Sequence, residues 1–181
     1  MKDQLPTEVY GMADVLTHVL VGYILGTLLS FRYEWLRPAH VTLVMIGALT
    51  PDLVKIQLIA PDERVAETLG VAFSWRSLHT LVGSVLLIGL GALLLGPAHR
   101  KQAFALFALG VLSHHVLDIL LLTPTGEAYA IFWPFLEYRL PAGDLYLSSD
   151  RWPALVASCG ALLVWVLDRR RDSPSKMSTV D

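Results

Sequence analysis

The sequence predicts an all-α protein, a polytopic transmembrane helix bundle of about five membrane segments, and three observations carry that expectation. Hydrophobic residues make up 54% of the 181 residues and charged ones 17%, against roughly 45–50% and about 25% in ordinary soluble domains; mean hydropathy is +0.54. The apolar residues fall in runs close to the roughly 20 residues that a helix needs to cross a bilayer. Most ionisable groups inside those runs are His and Asp, two pairs of them at helical pitch.

The first run, 13–30, opens with Asp14 and His18 one helical turn apart. The second, 41–60, is interrupted by Thr50-Pro51-Asp52 and carries Lys55 and Gln57, so its helix is expected to kink or end at Pro51, with an interfacial piece beyond. Runs 80–96 and 102–122 follow, the latter holding His114, His115 and Asp118. The fifth, 152–167, is short and is expected to tilt or to be shielded by its neighbours. Glycines 22, 26, 83, 89, 91, 96 and 110 allow helices to approach closely. The expected organisation is a polar N-terminal segment 1–12, a membrane-embedded helical domain 13–168 and a disordered cytoplasmic tail 169–181.

Charge and composition exclude several function classes. A net charge of −2 and a pI near 6.3 give no basic surface for nucleic acid. The mixed-charge start MKDQLPTEVYGM argues against a cleavable signal peptide. Cys159 has no second cysteine to pair with, and its apolar neighbours suggest a buried structural thiol. With five crossings, Arg32, Arg37, Arg100, Lys101 and Arg169–Arg171 fall in short connections on one side. Lys2, Arg64, Arg76, Arg139 and Arg151 fall on the other. The short basic side is expected to be cytoplasmic, giving N-out and C-in.

That threading brings polar residues of separate segments into one half of the bilayer. His114 and Asp118 project from one helix face, and ionisable groups at membrane depth are functional by default because each costs several kcal/mol unless paired, solvated or metal-bound. His18 is either a ligand or a structural histidine bonded to a carbonyl; Asp52 is a ligand or a helix cap; His79 is a ligand or an interfacial histidine. His115, rotated by about 100° from His114, reads as an outer residue or as packing. Imidazoles and carboxylates without thiolates suit zinc, with manganese or iron as alternatives. No GxSxG, HExxH or GxGxxG pattern supports competing chemistry.

Taken in order, these residues resemble the membrane-bound metal-dependent hydrolase family, the YdjM-type inner-membrane proteins. The matching elements are Thr17-His18 with Gly22; Gly47 with Pro51-Asp52; Arg76 with His79-Thr80; and Ser113-His114 with Asp118, followed by Thr123-Pro124, Gly126 and Trp133-Pro134. The chain departs from the family pattern at Val54, where a second acidic residue would stand, and at Trp75, where a histidine would precede the arginine. The resemblance implies a metal centre more than a substrate.

Together these readings give an integral membrane hydrolase using metal-activated water on a lipid-like or phosphoester substrate. His18, Asp52, His79, His114 and Asp118 are the expected metal ligands, and Asp118 or Asp14, if not itself a ligand, the proton acceptor. Arg76 would bind an anionic group, or else lipid headgroups. The site is expected to open outward beneath segment 123–151. The rivals are an ion or proton carrier with a His/Asp relay and an inactive hydrolase descendant.

Overall fold

The computed structural model describes residues 14–172, and within them the protein is helical, with no strand longer than an isolated bridge. Six α-helices are present: α1 (Val15–Arg32), α2 (Pro38–Leu49), α3 (Asp62–Leu69), α4 (Leu81–Leu93), α5 (Arg100–Ile119) and α6 (Trp152–Asp172). Two 3-10 segments, Pro51–Leu58 and Trp75–His79, follow α2 and precede α4. The principal packings run as a row in which α6 lies on α1, α1 on α2, α2 on α5 and α5 on α4.

Among the described residues α1, α5 and α6 are long and apolar enough to cross a membrane. A fourth span results if α2 and its 3-10 extension count as one broken element bent by 53°. The break lies where Pro51 cannot donate a backbone hydrogen bond to the helix. Helix α4 is shorter, 13 residues. Thr80 caps its start, the side-chain oxygen accepting from the Gly83 amide at 3.1 Å, and it ends at Leu93, before the end of the expected run. The five apolar runs therefore map onto α1, α2, α4, α5 and α6. The last is longer than its sequence suggested, continuing through Arg169–Arg171 to Asp172, into the segment expected as tail; basic residues suit a helix C-terminus.

The α2–α5 crossing positions the site. A Cβ on Gly47 would collide with the Phe107 carbonyl, and one on Gly110 with the Val44 carbonyl and the Ala48 amide, so the two backbones meet with no side chain between them. Beside this crossing, Ile88, Ala103, Phe107 and Val111 form one buried cluster and Leu36, Val44 and Leu106 another. Helix α6 buries only a narrow stripe, Ala157, Ala161 and Val164, at helical spacing. Cys159 lies off that stripe and is exposed, contrary to the expectation of a buried thiol. Apolar neighbours mark a lipid-facing surface as readily as a protein core, which is why composition misled there.

Residues 120–151 return across the end of the bundle. The Leu122 amide donates to the Tyr146 carbonyl at 2.7 Å, and the Leu81 amide, at the start of α4, donates to the Ile131 carbonyl at 2.8 Å. Tyr146 donates its hydroxyl to the Leu117 carbonyl at 2.8 Å, one residue from Asp118. Burial, with a smaller contribution from the Asp118 charge, pushes its phenol up to about 12.

Candidate metal centre

Each donor enters the centre from a helix end. His18 lies in the first turn of α1, Asp52 in the first turn of the 3-10 segment after α2, His79 at the last residue of the 3-10 segment before α4, and His114 and Asp118 in the last turns of α5. All five are buried, His18 and His114 completely. The two 3-10 segments pack on each other, which draws Asp52 and His79 toward the same end.

Asp118 is the hub. His79 Nε2 stands 2.8 Å and His114 Nε2 3.2 Å from its Oδ2, and His18 Nε2 stands 3.4 Å from its Oδ1. His79 Nε2 and His114 Nε2 are themselves 3.2 Å apart. Ligands bound at about 2.0–2.1 Å in a tetrahedron sit roughly 3.3 Å from one another, so His79, His114 and Asp118 already hold the spacing of a coordination shell. Their ligand atoms form one compact donor group, and those of His18, Asp52 and His114 form a second, each within 4.8 Å. Buried His and Asp groups of this structure could thus hold a metal ion.

Two features test that fit. His114 Nδ1 lies 2.8 Å from the Ala48 carbonyl; a carbonyl can only accept, so Nδ1 carries the proton and Nε2 keeps its lone pair toward the cluster, the usual support of a metal-ligating histidine. Meanwhile His18 Nδ1 and Nε2, His79 Nδ1, Asp52 Oδ2 and both Asp118 oxygens are buried without a well-formed hydrogen bond. Orphaned polar atoms at this density are costly in an apolar interior, and a cation removes that cost for those facing it. The residues present fit a divalent ion.

Several sequence expectations change. Asp14, expected to pair with His18 and to serve as a base, is exposed at the N-cap of α1. One turn of helix separates the two, but the N-cap residue has left the helical path. His18 pairs with Asp118 instead, and Asp14 is not part of the cluster. Arg76 shares the 3-10 segment with His79 but is exposed. His115 is buried, with its Nε2 3.5 Å from Ser84 Oγ and its ring against His79, as an outer residue of the cluster.

Other neighbours escaped sequence reasoning. Lys55 Nζ lies 2.8 Å from Asp52 Oδ1; in a 3-10 helix residues three apart are eclipsed, so the Pro51 break was a usable signal. The Tyr129 ring lies 5.0 Å from His79, and no local pattern predicts that contact from within the loop. Segment 120–151 does cover one side of the centre, through Tyr129 and Tyr146.

No curated protein and no solved structure matches the chain. A family model does, that of the YdjM inner membrane proteins, over residues 12–178. Together with the apolar helices, this assigns the protein to a cell membrane. The ordered His and Asp motifs, the buried cluster they build and a match across nearly the whole sequence lead to one conclusion: the chain belongs to the YdjM inner membrane protein family.

Proposed function

We propose that the protein is a membrane-embedded metal-dependent hydrolase acting on a lipid-like or phosphoester substrate. The observation that carries this reading is the convergence of three imidazole Nε2 atoms on the buried Asp118 carboxylate, at 2.8–3.4 Å. His79, His114 and Asp118, with His18 and Asp52 adjoining, would hold the ion; by donor type it is zinc, with manganese or iron as alternatives. When bound, the ion supplies Lewis acidity and lowers the pKa of water to about 7.

The chain's own residues supply the rest. Asp118 Oδ1, the oxygen turned from His79 and His114 toward His18, is positioned to accept a proton. Tyr129 and segment 120–151 exclude water from the His79 side. Arg76, exposed on the same 3-10 segment as His79, is suited to an anionic headgroup. Support for a lipid-like substrate comes from an apolar cleft of about 460 Å³ beginning two residues beyond His79. It runs between Leu81, Val82, Val85 and Leu86 of α4 and Phe132, Phe135 and Leu136 of the loop. An acyl chain in that cleft would leave its polar end near the cluster.

The test is turnover of lipid-like and water-soluble phosphoesters by detergent-purified protein, with chelation, metal restoration and His114→Ala as controls. Turnover that disappears on chelation and in the variant, and returns with metal, supports the reading. Metal occupancy without chelator-sensitive turnover of any substrate replaces it with a binding protein or an inactive descendant.

A further inference from the structure

The two donor groups, His79–His114–Asp118 and His18–Asp52–His114, share His114. The Nδ1 of His114 is committed to the Ala48 carbonyl, so only the single Nε2 lone pair remains, and one imidazole nitrogen binds one ion. The groups are therefore alternatives for His114, and the structure distinguishes them. The first is compact, with all three separations between 2.8 and 3.2 Å. In the second, the Asp52 charge already faces a cation: Lys55 Nζ sits 2.8 Å from Oδ1, leaving only Oδ2 without a partner. The Lys55 side chain is 30% exposed against 4% for Asp52, so the ammonium keeps access to water while neutralising a buried carboxylate that would otherwise be uncompensated.

We propose that Lys55 decides which donor group holds the ion. By occupying Asp52 it leaves His79, His114 and Asp118 as the ligands of a single ion, with His18 a positioning residue that orients the Asp118 carboxylate through Oδ1. This rests on the metal-centre reading above and deepens it, because it fixes the number of ions and removes Asp52 from the ligands. The physical reason is electrostatic. A second cation at Asp52 meets a resident ammonium at close range in a poorly screened interior, where like charges repel strongly. At the other group Asp118 supplies an anion, 2.8 Å from His79 Nε2 and 3.2 Å from His114 Nε2.

The experiment is Co²⁺ titration of the full chain in detergent, read by visible absorption and bound-metal stoichiometry and needing no substrate. Wild type is expected to bind one equivalent. Asp52→Asn, which keeps shape and removes charge, should leave the Co²⁺ spectrum unchanged and weaken binding by less than the roughly tenfold that loss of even an outer-shell partner costs. In a Lys55→Gln chain, Asp52 becomes available: the spectrum should change, stoichiometry should stay at one, and adding Asp52→Asn should then weaken binding more than about tenfold. Lys55→Arg should behave as wild type, which separates loss of charge from misfolding. Two equivalents in any of these chains, or an altered spectrum or a loss beyond about tenfold for Asp52→Asn alone, overturns the proposal while leaving a metal centre intact. No Co²⁺ binding by wild type overturns both this proposal and the hydrolase reading.

Discussion

The imidazoles of His18 and His114 stack with ring centroids 3.7 Å apart and planes inclined by 18°. This contact joins the first turn of α1 to the end of α5, helices that both also pack on α2. Both residues are fully buried, yet their hydrogen-bonding differs: His114 is anchored through Nδ1 to Ala48, whereas neither His18 nitrogen makes a well-formed hydrogen bond. The stack therefore positions His18 by packing, and Asp118 by way of His18.

His18→Phe and His114→Ala separate these roles. Phe preserves the stacked ring and removes the nitrogen facing Asp118, so metal affinity should fall by roughly 10–100-fold, the range for losing an outer-shell partner. His114→Ala removes a direct donor and should abolish stoichiometric binding. Calorimetric or spectroscopic metal titration checks both, and equal losses in the two variants would contradict the division of labour.

The glycines give a second contrast. Gly110→Ala places a methyl into the Val44 carbonyl and Ala48 amide. Overpacking costs about 1–3 kcal/mol, more than the roughly 0.5–1 kcal/mol that Gly→Ala gains in a helix, so the variant should melt lower in detergent. It should also weaken metal binding, because Ala48 carries the carbonyl that orients His114. Gly89→Ala meets nothing within 4 Å and should leave stability unchanged or slightly raised.

Much of this centre was legible in the sequence because two periodicities coincide. The four-residue spacing of His114 and Asp118 sets them on one face, and alternating crossings bring His18, Asp52 and His79 to the same end. The choice between Asp14 and Asp118 as the partner of His18 was not legible. Both offer a carboxylate, and only the exit of the chain from helical geometry at the N-cap separates them. Tyr129 and Tyr146 were invisible for a different reason: their places depend on the path of the long loop, held by pairings such as Leu122 with Tyr146 and Leu81 with Ile131. No local pattern encodes that path.

Tyr146 gives the alkaline behaviour a sign. Its phenol is pushed up to about 12 in the folded protein, against about 10 in an unfolded chain. Between those values the unfolded state releases a proton that the folded state keeps, so stability present below pH about 10 declines as pH rises toward about 12. Tyr146→Phe removes the hydrogen bond to Leu117 and should lower stability by about 1 kcal/mol at neutral pH, while making the decline above pH 10 shallower. Melting curves of both proteins from pH 8 to 11 check this, and parallel pH profiles would contradict it.

Orientation in the membrane follows from which end carries the basic residues. Arg171 Nη2 donates to the Phe31 carbonyl at 3.3 Å and its guanidinium lies 4.6 Å from the Phe31 ring, so the C-terminal ends of α1 and α6 share one end of the bundle. Tyr33, Trp35, Lys101 and Gln102 line one cleft, which brings the start of α5 to the same end. Arg32, Arg37, Arg100, Lys101 and Arg169–Arg171 thus gather opposite the His/Asp cluster, and the positive-inside bias predicts that this end faces the cytoplasm. The centre would then open to the outer side, where a lipid-like substrate from the outer leaflet could reach it. Single cysteines placed in a Cys159→Ser background decide the matter: Glu137→Cys, in the loop at the cluster end, should react with a membrane-impermeant maleimide in intact cells. Ala98→Cys, exposed in the α4–α5 connection, should react only after permeabilisation. The reverse pattern would put the centre on the cytoplasmic side and require its substrate to come from the inner leaflet.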